Sequence, residues 1–392
     1  MEIDLLPGGG ERRAEVRRYL ADHAGPPGLS GPGLSDPGLS GPGLSGAGLD
    51  EVLATPPGYD VGLWAGMAER GWLAAAPMGD LVVVLEELGR ARVPTPVQNG
   101  VVQSAAALSA IQPPDLAPRL DELAAGRWRY ALCLSGPSGS FEPEDLGVTW
   151  RLDGGGYRLD GLTRFVPYAD SADVLLVAAA GPDDDGHSLV EVSPRAAGVS
   201  IAVSSSMAGD RQAEIGLEHV SVGRAAVLGQ PGRARLALER AVVVGSVGLA
   251  AEMVGASAAL IEHTVAHVTT RHQFGASLGS LPTVQHRLAD MVLDHVAALG
   301  AVEEAVRALD GGEAGVLESA AAKALCSLAC RRVAVSAHQL WGGTGYLADA
   351  GIHHWSRLIK GAETMLGAPA RHRRVVVDTL RAGGGWSPGH DR

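Results

Sequence analysis

Two short blocks toward the C-terminus hold the residue types that could do chemistry. The first, Arg271-His-Gln-Phe-Gly-Ala-Ser-Leu-Gly-Ser-Leu-Pro-Thr-Val-Gln-His-Arg-Leu-Ala-Asp-Met291, places a cation, an aromatic ring and a glycine at a turn between two helical runs. The second, Gln339-Leu-Trp-Gly-Gly-Thr-Gly-Tyr346, begins at 339 against 271, 68 residues later. Each block also has a structural reading: an arginine at a helix end is favoured by the macrodipole, and glycines after a helix terminate it. Glu252 and Glu363 fall on predicted helices and could take a proton as general bases, whereas Glu239 lies on the wrong face of a regular helix. His353 and His354 could titrate near neutrality. Cys133, Cys326 and Cys330 show no paired metal spacing. Cys326 and Cys330, four apart on an apolar helix, read as small buried residues.

Composition limits what these residues can serve. The chain of 392 residues is 46% hydrophobic and 19% charged, which suits a globular protein with a large core. A net charge of −12 gives nucleic-acid binding no electrostatic support. No uninterrupted apolar run reaches the roughly 20 residues that span a bilayer. The first ten residues carry no signal-like pattern, so a cytoplasmic location is expected.

The elements that must hold the two blocks fall into zones. Glu11 to His23 reads as a short charged helix, followed by a five-residue Gly-Leu-Ser-Gly-Pro repeat over 28–47. Proline at every fifth position forbids a helix there, so a flexible loop is expected. Four helices are predicted in 51–126, within Tyr59–Leu73, at Leu81–Arg90, Val101–Ile111 and Asp115–Ala125. Short strands fill 127–230, including a hairpin with its turn at Asp153-Gly-Gly-Gly156, and predict a mostly antiparallel sheet. From 231 to 383 the pattern is helical again, with runs at 233–270, 283–309, 314–341, 352–366 and 370–380, and 384–392 reads as a tail.

The two blocks, in this order and near the C-terminus, resemble the arginine–phenylalanine–glycine turn and the second FAD-contacting turn of the acyl-CoA dehydrogenase family. Glu-Glu-Leu-Gly-Arg90 with Pro94-Thr-Pro96 is similar to that family's N-terminal helical domain. The resemblance covers about residues 51–380. It implies an α+β fold with an N-terminal helical domain, a central β domain and a C-terminal four-helix bundle. It implies FAD as cofactor and an acyl-CoA or acyl-carrier-protein substrate, in which an α,β double bond is introduced. Arg271 would meet the FAD pyrophosphate, Phe274 would pack beside the adenosine portion, and Gln339, Gly342 and Gly343 would reach the same cofactor from a partner subunit. A homodimer or homotetramer is expected, or a heteromer with a homologous chain.

The sequence departs from the family pattern at several points. The glutamine common eleven residues after the motif arginine is Pro282. A tryptophan–isoleucine–threonine stretch that covers the flavin reads Phe165-Val-Pro-Tyr168. The family's usual base position is Leu366 and its alternative position is Gly245. Glu363, one turn before Leu366, is the leading replacement, with Glu252 behind it. Three functions therefore stay open: a dehydrogenase with a relocated base, a non-catalytic subunit of a heteromeric dehydrogenase, and a family member doing non-redox chemistry such as cyclisation in the old pocket.

Overall fold

The computed structural model of the protein describes residues 5, 8–23, 46–74, 77–182, 186–273 and 275–383. Most of the 28–47 repeat, Phe274 and the tail from 384 lie outside the described residues. The helices are α1 (Gly10–His23), α2 (Gly46–Ala54), α3 (Val61–Glu69), α4 (Met78–Ala91), α5 (Ser104–Ile111), α6 (Leu116–Ala124), α7 (Arg235–Thr270), α8 (Pro282–Asp310), α9 (Val316–Trp341), α10 (His353–Thr364) and α11 (Pro369–Ala382). The strands are β1 (Tyr130–Cys133), β2 (Val148–Asp153), β3 (Gly156–Pro167), β4 (Val174–Ala180), β5 (His187–Val192), β6 (Val199–Ser205), β7 (Arg211–Val222), β8 (Val227–Leu228), β9 (His272–Gln273) and β10 (Ala276–Ser277). The expected α+β architecture is observed. Contacts divide the chain into two units, one of residues 1–49, 77–92 and 246–392 and one of 50–76 and 93–245. Thus α4, which chain order groups with the N-terminal helices, packs with the C-terminal ones.

In the first unit, α4 and α7 cross with their backbones in contact. A Cβ on Gly255 would lie 1.8 Å from the Glu86 carbonyl oxygen, and one on Gly89 would lie 2.2 Å from that of Glu252. The N-terminus of α4 is capped from a distance, because Met78 and Gly79 donate their N–H groups to Asp310 at 2.6 and 2.9 Å. Helix α1 buries Val16, Tyr19 and Leu20 and is joined to α4 by ion pairs. Arg13 reaches Glu86 at 2.5 Å and Glu87 at 3.1 Å, and Arg17 reaches Glu87 at 2.8 Å. Burial pushes the Glu86 carboxyl up to about 7 in spite of Arg13. Helix α7 is long and apolar enough to cross a membrane, but 83% of its most apolar stretch is buried in the protein, the pattern of a core helix.

The second unit holds an eight-stranded sheet in the order β6-β7-β3-β2-β4-β5-β8, with β1 paired to β4. Most pairs are antiparallel, as expected. The exceptions are β1 with β4 and β2 with β4, which are parallel. Alternate residues of β2, β3, β4 and β7, among them Trp150, Leu159, Val177 and Ile215, build its core.

The segment expected as one helix from Val101 to Ile111 differs. Val97–Gln103 is a π-helix, and α5 follows it. Its cause is contact with β1. Asn99 bonds both backbone groups of Leu132, at 3.1 and 2.8 Å, and a Cβ on Gly100 would meet the Tyr130 carbonyl oxygen at 2.8 Å. The three cysteines are free and buried, as their spacing predicts. Among the described residues no cluster of His, Cys, Asp or Glu could hold a metal.

Candidate functional site

The second block meets the helix that leads into the first. His267, one turn before Arg271 on α7, stacks on Trp341 with ring centroids 4.2 Å apart and planes 11° from parallel. Trp341 is the last residue of α9, and Gly342 turns the chain there at φ 61° and ψ −144°, a conformation suited to glycine alone. Burial, and then the Arg271 charge, hold His267 below its ordinary value. The stack therefore ties the last turn of α7, which leads to Arg271, to the end of α9, which leads to Gly342, within a single chain.

What these residues leave uncommitted defines what could bind. Arg271 is exposed, and its side chain makes no hydrogen bond or ion pair among the described residues. Gln339 is exposed, and its side chain is likewise unpaired. A Cβ on Gly342 or Gly343 would meet nothing within 4 Å, so these backbone groups face open space. The Gly342 N–H already donates to the His338 and Gln339 carbonyls, so the uncommitted groups are the Arg271 guanidinium and the Gln339 amide, both of a kind that suits a phosphate. The fit concerns the diphosphate end only. In the second unit Phe165 is exposed at φ 54°, its ring against the loop at Gly139.

Glu363 lies on the buried face of α10. Its Oε1 sits 3.4 Å from Arg331 and 3.2 Å from Lys360, while Oε2 is buried without a partner. A groove of about 310 Å³ between α9 and α10 is lined by both cations and by His338, Gln339, Tyr346 and Ser356. No hydrogen bond or ion pair joins Glu363 directly to Arg271 or the glycine turn among the described residues. Glu252 contributes its carbonyl to the α4–α7 crossing, and Glu239 pairs with Arg235 at 2.8 Å. Gly245 receives a hydrogen bond on its carbonyl from Gln98 at 2.6 Å.

The turn after α10 is held from behind by two groups that sequence reasoning missed. The helix expected to run to Leu366 stops at Thr364. Met365 is extended, and Leu366, almost fully buried, adopts φ 57° ahead of Gly367 at φ 106°. Lys323 donates to the Glu363 carbonyl at 3.1 Å, and the ring Nε2 of His372 meets the Leu366 carbonyl at 3.1 Å. The available signal was Lys323 itself, a single charge on the apolar face of Ala320-Ala-Ala-Lys-Ala-Leu-Cys326 and one of only two lysines in the chain.

Burial depresses Lys323 from 10.5 to about 7. Between those values the unfolded lysine holds a proton that the folded one lacks, so stability gains from this group as pH rises from about 7 toward 10.5. Lys323→Met is expected to remove that gain, on the order of 2 kcal/mol between pH 7 and 9.5. Urea midpoints of both proteins at the two pH values measure it, and parallel pH slopes would refute the assignment.

This fold with this diphosphate-suited end defines a class. Residues 234–380 match the family model of the acyl-CoA dehydrogenase C-terminal domain. Acryloyl-CoA reductase (NADH) of Anaerotignum propionicum is 30% identical over 267 residues, 66% of this chain and 68% of that protein. Acyl-CoA dehydrogenase IpdE2 of Mycobacterium tuberculosis is 25% identical over 368 residues, 91% of this chain and 92% of that protein. Among solved structures, the Tcur3481–Tcur3483 steroid ACAD, in a variant form, superposes with a TM-score of 0.81 at 26% identity, covering 96% of this chain and 98% of that one. The chain belongs to the acyl-CoA dehydrogenase family.

Proposed function

We propose that the protein is an FAD-dependent acyl-thioester dehydrogenase subunit that introduces an α,β double bond. The observation that supports this reading is the His267–Trp341 stack, which ties the end of α7 leading to Arg271 to the end of α9 leading to the Gly342-Gly343 turn. FAD, when bound, would accept the β-hydrogen as hydride. Arg271 would neutralise its diphosphate, with the Gln339 amide as a further donor, the open Gly342-Gly343 turn leaving room for the phosphates and Phe274 against the adenosine. Glu363 is this chain's own candidate for removing the α-proton. One of its oxygens already lacks a partner, and Arg331 and Lys360 hold the other. The acyl group would arrive on CoA or on a carrier protein, and the active form would be an oligomer.

Glu363→Gln tests the base. The expected result is a fall in kcat of about a thousandfold with the visible flavin spectrum unchanged, as for loss of a general base. Unchanged turnover in that variant would remove Glu363 from the mechanism.

Leu366 favours a second reading. An apolar residue fills the turn where relatives carry the base, and the turn is kept at a backbone conformation costly for leucine. On this reading the chain completes the cofactor site of a base-bearing partner. The steroid ACAD above is itself described by two components, Tcur3481 and Tcur3483. Co-expression with a base-bearing homologue, followed by size-exclusion chromatography, separates the readings. A stable mixed oligomer active only as the pair supports the second, and full activity of this chain alone excludes it.

A further inference from the structure

We infer that Gln98 and Gln103 form a polar floor that recognises a hydroxyl group on the acyl chain of the substrate. The inference rests on the reading of the protein as an acyl-thioester enzyme and names a feature of its substrate. Four polar residues lie buried in or just after the π-helix Val97–Gln103, namely Gln98, Asn99, Gln103 and Ser104. Two are committed to the fold. Asn99 bonds both backbone groups of Leu132, and Ser104 Oγ donates to the Asn99 carbonyl at 2.9 Å.

The other two have capacity to spare. Gln98, 9% exposed, donates Nε2 to the Gly245 carbonyl at 2.6 Å, which fixes its amide and leaves Oε1 buried with no donor. Gln103, 2% exposed, makes no side-chain hydrogen bond among the described residues. In a π-helix the backbone bonds run from i to i+5, as from Ser104 N–H to the Asn99 carbonyl. Residues 98 and 103 are likewise five apart, a little over one turn, so both lie toward one side of the π-helix.

A buried acceptor without a donor is costly, and native proteins rarely leave one unexplained. Wide π turns, too, are kept mostly where function needs them. The open atom on Gln98 is an acceptor, so the missing group is a donor. A hydroxyl both donates to Oε1 and accepts from the Gln103 amide. A cationic amine would call for a carboxylate, and residues 93–104 contain none. An unsubstituted alkyl chain would cover the amide and leave it unpaired.

The test measures Kd for hexanoyl-CoA and its 4-, 5- and 6-hydroxy derivatives with the full-length protein and with Gln98→Leu. At least one hydroxy derivative is expected to bind about tenfold or more tightly than hexanoyl-CoA, because a site built around a hydroxyl discriminates against its absence. Gln98→Leu should erase that preference while hexanoyl-CoA affinity changes less than threefold. A preference absent from the wild type, or unchanged in Gln98→Leu, overturns the inference while leaving the dehydrogenase reading standing. If no thioester binds, crystals of the wild type soaked in 1-hexanol decide the matter. A hydroxyl on Gln98 Oε1 supports the site although the dehydrogenase reading falls, and an undisplaced water there overturns it.

Discussion

Gly255→Ala is expected to destabilise the protein by about 3 kcal/mol or more, at the upper end of what overpacking a core costs. The added Cβ would sit 1.8 Å from the Glu86 carbonyl oxygen, 2.7 Å from its carbon and 2.9 Å from the Arg90 nitrogen. All three are backbone atoms of α4, so no rotamer change relieves the contact. Gly89→Ala should act similarly, because its Cβ would meet three backbone atoms of Glu252, the nearest at 2.2 Å. The two glycines are reciprocal, each making room for the other helix. Gly300→Ala on α8 is the control. Its Cβ meets nothing within 4 Å, so the gain in helix propensity should stabilise by about 0.5–1 kcal/mol. Urea denaturation of the three variants measures these differences, and an unchanged midpoint for Gly255→Ala would show that α4 and α7 do not cross this closely. Consequences reach the surrounding contacts. Trp355 Nε1 donates to the Arg90 carbonyl at 2.9 Å, and Arg90 pairs with Glu262 at 2.6 Å, so displacing α4 would disturb the seat of α10 as well.

Arg271→Met should separate binding from folding. Arg271 is exposed and unpaired among the described residues, so the substitution is expected to change stability by no more than about 0.5 kcal/mol. FAD affinity, in contrast, should fall about a hundredfold, the worth of one bidentate, charge-assisted contact to phosphate. Flavin fluorescence titration gives the Kd and thermal melting gives the stability. A variant that holds FAD as tightly as the wild type would remove Arg271 from the cofactor site. Trp341→Leu offers an independent check, since loss of the His267 stack should loosen the same site without touching the cation.

Much of this architecture could be read from local pattern. The spacing of glycine and proline marked the helix ends, alternation marked the strands, and the two C-terminal blocks pointed to the family. The features that escaped are those made by residues far apart in sequence. Asp310 caps α4 across 232 positions, and Arg13 reaches Glu86 across 73. The π-helix at 97–103 looks helical by period, and only the Asn99–Leu132 contact makes it wide. Lys323 and His372 hold the turn at 363–367 through its carbonyls, which no side-chain pattern announces. The two blocks were legible because each is short and continuous in sequence. The base was not, because Leu366 and Gly245 leave both family positions without an acid and only burial distinguishes one glutamate from another.

The central claim is that Arg271 and the Gly342-Gly343 turn form the diphosphate end of a flavin site. The visible absorption spectrum of the protein purified alone, before and after incubation with FAD and removal of excess, tests it most directly. The account predicts flavin bands near one equivalent per chain. A colourless protein after incubation with FAD, folded by circular dichroism, would contradict it.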